Sequence, residues 1–94
     1  MVNTDRQVRE PPRILIVEDD QETVDFLTII LGRANCSPES ASSGEEALSA
    51  LRRLHRAGEP VDLVLLDIMM PGIDGYEVIA RTKADSDLRH TSFI

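Results

Sequence analysis

The stretch ILIVEDD at residues 14–20 joins four consecutive aliphatic residues to three acidic ones. Aliphatic and β-branched side chains without polar alternation predict a strand that is buried on both faces, as in the centre of a parallel sheet. A second stretch of this kind, VDLVLLD at residues 61–67, also ends on a carboxylate, that of Asp67. Two such strands predict a parallel sheet with acidic groups at one edge.

Helical patterns separate these strands. Asp20 is suited to cap a first helix. Apolar residues then recur at helical spacing on one face, at Val24, Leu27, Leu31 and Ala34, and Phe26 and Ile30 widen this face. The capping-box spacing of Ser43 and Glu46 predicts a second helix, which runs out at Gly58.

Three weaker signals complete the pattern. The stretch 36–41 contains Pro38, which cannot donate a ladder hydrogen bond, so a strand there is expected at a sheet edge. A short helix is predicted after Asp74, then a polar loop over residues 83–91, and Ser92-Phe93-Ile94 predicts the opening of a further strand. Alternating strands and helices predict an α/β fold with helices on both faces of a parallel sheet.

Length and composition limit the classes of protein. With 94 residues, 41% of them hydrophobic, we expect one domain over residues 13–94, preceded by a flexible lead at 1–12 that ends in two prolines. The lead lacks the apolar segment of a secretory signal, no stretch is long enough to span a membrane, and Cys36 is the only cysteine, so we expect a cytoplasmic protein. A net charge of −7 disfavours direct binding to nucleic acid.

The acidic strand ends carry the chemistry. In open parallel sheets, ligands bind beyond the carboxyl ends of the strands, so Glu18, Asp19 and Asp67 converge if their strands are neighbours. Clustered carboxylates are costly unless they are protonated or neutralised by a cation. Oxygen ligands without Cys or His favour a hard cation such as Mg²⁺, which often shares phosphate oxygens, and a carboxylate can itself attack phosphorus.

Three segments resemble the response-regulator receiver family of two-component signalling: ILIVEDD at 14–20, SSGEEAL at 42–48 and DLVLLDIMMPGIDGYEVI at 62–79. The resemblance covers residues 13–94. It implies a flavodoxin-like, doubly wound parallel sheet with strand order 2-1-3-4.

The resemblance also implies roles for individual residues. Asp67 matches the phosphoacceptor and is also a metal ligand. Asp19 matches the direct metal-binding acid, Glu18 the companion acid that commonly acts through water, and the backbone carbonyl of Met69 the third protein ligand. The implied cofactor is Mg²⁺, and the implied donor is a phosphohistidine on a sensor histidine kinase or phosphotransfer protein. Such a domain takes part in its own phosphoryl transfer and is not expected to be an enzyme.

The chain departs from the family pattern at its end. The pattern continues past Ile94 with the rest of the fourth strand and its Ser or Thr, a fifth strand that ends in Lys, and two last helices. Without the Ser or Thr and the Lys, we expect slower phosphoryl transfer or a shorter-lived product. We also expect the fourth strand to be an exposed edge through which the chain could self-associate.

Two other functions fit parts of the pattern. The chain could be a phosphorylation-silent receiver relic or scaffold that binds partners through its helices. It could also be an aspartate-nucleophile phosphatase of the haloacid dehalogenase type, but that family has a second Asp two positions after the first, where this chain has Met69. The plainer interpretation of Asp20 and Asp74 is that they cap helices.

Overall fold

The computed structural model describes residues 11–67 and 75–94, so all but the last two residues of the expected flexible lead at 1–12 lie outside the described residues. Strands and helices alternate along the described chain, as the sequence predicts. In chain order, these elements are β1 (Arg13–Val17), α1 (Gln21–Arg33), β2 (Ser37–Ala41), α2 (Gly44–Arg56), β3 (Leu63–Leu66), α3 (Gly75–Ala84) and β4 (Ser92–Phe93).

The four strands form one sheet in the order β2-β1-β3-β4, and all three pairs are parallel. The predicted flavodoxin-like topology is confirmed, including the position of β2, the Pro38-containing strand, at an edge. In the centre of the sheet, Leu15 of β1 pairs with Glu39 of β2 on one side and with Val64 of β3 on the other. This order makes β1 and β3 neighbours, which the convergence of their acidic ends requires.

The main core lies between α2 and one face of the sheet. Leu15 and Val17 of β1 and Val64 of β3 are fully buried on this face, and Leu51 of α2 is 1% exposed. The other buried members of the core are Ala41, Ala47, Ala50, Leu54, Val61 and Leu88. The apolar residues of α2 therefore form its core-facing side, as is usual for an amphipathic surface helix.

The opposite face of the sheet carries α1 and is less completely covered. Val24 is the one buried residue of α1, while Phe26 and Ile30, predicted to widen its apolar face, are 63% and 43% exposed. In β3, only Val64 is fully buried, so the prediction of a strand buried on both faces is wrong for β3 and right for β1. The reason is that, among the described residues, α1 packs mainly against β2, at the far side of the sheet from β4.

The ends of α1 and α2 follow the predicted capping chemistry. The Asp20 carboxylate accepts from the Thr23 N–H at 3.1 Å, and the Ser43 hydroxyl accepts from the Glu46 N–H at 3.1 Å. Asn35 (φ 62°) and Gly58 (φ 77°) take the left-handed conformation just beyond the two helices. At each end the next N–H returns to the last turn, which is the Schellman arrangement.

The segment that joins α3 to β4 is more ordered than predicted. The sequence predicts a polar loop from Lys83, but α3 continues to Ala84, so Lys83 lies in the last turn of the helix. The loop then buries Leu88, which is 4% exposed, in the main core. No helix within the described ranges is both long and apolar enough to cross a membrane.

Candidate functional site

Backbone hydrogen bonds set the position of the acidic residues at the ends of β1 and β3. Val17 and Leu66 are register partners, and the Asp67 N–H donates to the Val17 carbonyl at 3.0 Å. On the other side of β1, the Glu18 N–H donates to the Ala41 carbonyl at 3.0 Å. The two strands therefore end at the same level, and each continues directly into a carboxylate.

The structure brings Glu18, Asp19 and Asp67 together. One carboxylate oxygen from each residue lies within 4.8 Å of the other two. Glu18 and Asp67 are half-buried and Asp19 is exposed, so the cluster lies at the surface, directly beyond the ends of β1 and β3. Met69, whose carbonyl the resemblance implies as a further ligand, and Asp74 lie outside the described residues.

The chemical environment of Glu18 shows the cost of this cluster. Partial removal from water raises the pKa of the Glu18 carboxyl, and the nearby Asp67 and Asp19 carboxylates raise it further. The Asp20 N–H, which donates to Glu18 Oε2 at 3.1 Å, acts in the opposite direction. The net shift is upward, so bringing these acids together disfavours the ionised form of Glu18.

A hard divalent cation fits this set of donors. The cluster offers only carboxylate oxygens, which suit Mg²⁺, and a bound cation would reverse the repulsion that raises the pKa of Glu18. Mg²⁺ keeps several of its waters, so a few protein ligands are enough. Asp20, adjacent in sequence, caps α1 instead of joining the cluster, which agrees with the capping role predicted for it.

An open groove borders the cluster on the α1 side of the sheet. Its walls include Glu18 and Asp67 together with the apolar side chains of Ile16, Leu27, Leu65, Leu66 and Ile94. Within the described part of the chain, this groove is open to solvent beside the Asp67 carboxylate.

Sequence reasoning did not find how β4 supports the site. The Ile94 carbonyl accepts from the Leu66 N–H at 3.0 Å, and the Ile94 N–H donates to the Val64 carbonyl at 2.9 Å. These bonds fix the residue that precedes Asp67. No motif could have predicted them, because they are made by backbone groups and depend only on strand register.

Comparisons with known proteins agree with this architecture. Residues 14–94 match the model of the response regulator receiver domain. The DNA-binding response regulator MtrA of Mycolicibacterium smegmatis is 40% identical over 74 residues, which are 79% of this chain and 30% of MtrA. The chain thus spans less than a third of that relative.

Solved structures show the same fold. The N-terminal domain of a response regulator receiver protein from Methanoculleus marisnigri is 42% identical, with a TM-score of 0.76 over 86% of this chain and 62% of that one. The phosphorylated cyanobacterial phytochrome response regulator RcpA is 28% identical, with a TM-score of 0.77 over 88% of this chain and 62% of that one. With its parallel sheet in the order 2-1-3-4 and its carboxylates at the ends of β1 and β3, the chain belongs to the response regulator receiver domain family.

Proposed function

We propose that this chain is the phosphoaccepting receiver of a two-component phosphorelay, in which Asp67 accepts a phosphoryl group with the help of Mg²⁺. The observation that carries the proposal is the cluster of Glu18, Asp19 and Asp67, with oxygens within 4.8 Å of one another, in a chain of the receiver family. The phosphorylated state of the related RcpA supports it.

The proposed reaction follows from ordinary acyl phosphate chemistry. A carboxylate oxygen of Asp67 attacks the phosphorus of a phosphohistidine, an O–P bond forms, and the P–N bond breaks. The imidazole leaves with the bonding electrons and takes up a proton. Asp67 suits the nucleophile because it lies at the end of a strand that is bonded on both sides.

The other two acids have supporting roles in this proposal. Asp19 would bind Mg²⁺ directly and Glu18 through water, while the carbonyl of Met69 would supply a further ligand. Bound Mg²⁺ would offset the negative charge of the transferred phosphoryl group. The proposed partner is a sensor histidine kinase or a phosphotransfer protein, and the proposed compartment is the cytoplasm. We propose that the chain is a signalling domain that takes part in its own phosphorylation and is not an enzyme with turnover. We also propose that this segment does not bind nucleic acid directly.

The test uses acetyl phosphate as a small donor in place of the kinase. Incubation of the 94-residue chain with acetyl phosphate and Mg²⁺ should add the mass of one phosphoryl group, and Asp67→Asn should abolish the addition. Asp25→Asn, which removes the same charge from an exposed position on α1, should behave like the wild type. A wild-type chain that gains no mass at any Mg²⁺ concentration would overturn the proposal.

A second candidate function is a phosphorylation-silent module that binds partners through its helices. The exposed side chains of Phe26, Ile29 and Ile30 on α1 favour this candidate, because clustered apolar side chains at a surface mark interaction sites. Mg²⁺ affinity separates the two functions. A silent module needs no working acidic pocket, whereas a phosphoacceptor should bind Mg²⁺ at its acidic cluster, and Asp19→Asn should weaken that binding.

A further inference from the structure

Lys83 is the only lysine of the chain and lies far along the sequence from the acidic cluster. We propose that it is a positioning residue for Asp67: it holds the segment that leads into β4, and β4 in turn holds the end of β3. This inference rests on the proposed function and adds to it a residue outside the acidic cluster.

Within the described part of the chain, the Lys83 ammonium group contacts residues 89–93. Its Nζ donates to the carbonyl of Arg89 at 3.0 Å and to the carbonyl of Thr91 at 2.9 Å. It also lies 5.7 Å from the centre of the Phe93 ring, within the range of a cation–π interaction. One cation at the end of α3 therefore binds both the entrance to β4 and a side chain of β4 itself.

The strand that Lys83 holds is β4, in which Ser92 and Phe93 pair with Leu63 and Val64 of β3 within the described ranges. Upstream, the buried Leu88 anchors the loop in the core. Between that anchor and the strand, Lys83 supplies charge-assisted hydrogen bonds, which are stronger than those between neutral groups.

The backbone connects β4 to the reacting carboxylate. The Ile94 carbonyl accepts from the N–H of Leu66, and the next residue, Asp67, donates to the Val17 carbonyl. The end of β3 is thus tied to β4 by one bond and to β1 by another. If β4 loosens, the first of these bonds is weakened, and the residue that precedes Asp67 is held less firmly.

A nucleophile that is held less firmly reacts more slowly, because attack requires aligned atoms about 3 Å apart, and small misplacements are costly. Loss of the Lys83 contacts should therefore slow phosphorylation of Asp67 even though Lys83 does not touch the reacting atoms. Binding of Mg²⁺ should change less than the rate, since two of the three acids of the cluster, Glu18 and Asp19, follow β1 and not β3.

The experiment compares Lys83→Met with Lys83→Arg and with the control Arg81→Met. Arg81 lies in the same helix, and its Nε donates to Glu77 Oε2 at 2.9 Å. The Arg81→Met substitution therefore removes the same charge as Lys83→Met and leaves the contacts with β4 in place. In Lys83→Met we expect amide hydrogen exchange at Leu66 and Ile94 to be about tenfold faster. We expect phosphorylation by acetyl phosphate at saturating Mg²⁺ to be about tenfold slower.

Lys83→Arg should restore both values to within about twofold, because a guanidinium can donate to the same carbonyls. Arg81→Met should match the wild type. Should Lys83→Met fail to fold, Lys83→Gln, which keeps a neutral donor, takes its place and should show the same pattern with a smaller effect.

Equal phosphorylation rates in Lys83→Met and Arg81→Met would overturn the inference, and so would a slowed rate that Lys83→Arg does not rescue. A failure of the proposed function looks different. The wild-type chain would then take no phosphoryl group at all, and the positioning role would fall with it whatever the exchange rates at Leu66 and Ile94.

Discussion

The backbone N–H of Asp67 donates to the carbonyl of Val17 at 3.0 Å, which joins the residue after β3 to the residue before Glu18. This single bond aligns the carboxyl ends of the two central strands. It follows from the parallel register in which Val17 pairs with Leu66. A slip of one residue would turn Asp67 to the other face of the sheet and separate it from the other two acids, because side chains alternate along a strand.

Removal of one acid from the cluster should weaken Mg²⁺ binding. For Asp19→Asn, we expect an affinity loss of at least about tenfold, because a carboxylate a few ångströms from a divalent cation contributes a large attraction. Titration calorimetry measures this loss directly. Asp25→Asn is the matched control, since its carboxylate accepts from the Gln21 side chain at 2.8 Å and does not belong to the cluster.

The same titration can contradict the site assignment. Equal Mg²⁺ affinity in Asp19→Asn and in the wild type would show that the ion binds elsewhere. Added Mg²⁺ should also raise the unfolding temperature of the wild type and of Asp25→Asn, because a ligand that binds only the folded state stabilises it.

The Glu46 carboxylate in the first turn of α2 should make stability depend on pH. The backbone N–H of Ser42 donates to the Glu46 carboxylate, and so does the Ser42 hydroxyl, with a smaller effect. Both bonds hold the pKa of Glu46 below its ordinary value of 4.5. A lowered pKa stabilises the fold above pH 4.5, and this contribution is lost as the pH falls through the lowered pKa. Since Glu46 is exposed and screened by solvent, we expect less than about 1 kcal/mol.

Urea unfolding between about pH 6 and about pH 3 measures the effect as the difference between the wild type and Glu46→Gln. The difference should shrink on acidification, because Glu46 becomes neutral in the wild type as well. Glu45 lies in the same first turn, and the stability difference between the wild type and Glu45→Gln should not shrink in this way on acidification. A gap between wild type and Glu46→Gln that is constant with pH would contradict the role given to the Glu46 charge.

Two glycines should respond to alanine in opposite directions. Gly58 has a φ of 77°, and an added Cβ would meet no atom within 4 Å, so Gly58→Ala should cost about 1 kcal/mol through backbone strain alone. Gly32 lies within α1 with similar free space, so Gly32→Ala should stabilise by roughly 0.5–1 kcal/mol. Denaturant unfolding of both variants tests the pair, and a stabilising Gly58→Ala would contradict the Schellman ending.

We expect the 94-residue chain to self-associate through the open edge of β4. In the described part of the chain, β4 is the last strand of the sheet, and Ile94 beside it is 78% exposed. A hydrophobic edge can pair with a second copy, and a lysine there opposes such pairing. Light scattering should show a dimer that forms with increasing concentration and that Ile94→Lys weakens at least about tenfold.

Phe26→Ser separates this edge from the exposed face of α1, because it removes apolar surface from the helix and leaves β4 intact. Dimerisation that Phe26→Ser abolishes and Ile94→Lys does not would assign the contact to α1. A strictly monomeric chain at high concentration would contradict association through either surface.

Several elements were predictable because their signals are local. The aliphatic run of β1, the Asp20 cap of α1 and the Ser43 cap of α2 each depend on residues close together in the chain. The exposed side chains of α1 were not predictable. A helical stripe shows which residues share a face, but only the tertiary structure shows how much of that face the sheet covers.

The order of residues is enough to show that carboxylates follow two strands and that a family motif surrounds Asp67. The distance of 4.8 Å within which the oxygens of Glu18, Asp19 and Asp67 lie follows from the folded chain, because it depends on which strands are neighbours and in which register. The contacts of Lys83 with the carbonyls before β4 also follow from the fold. Backbone acceptors look the same in every residue, so a sequence cannot indicate which of them a side chain will find.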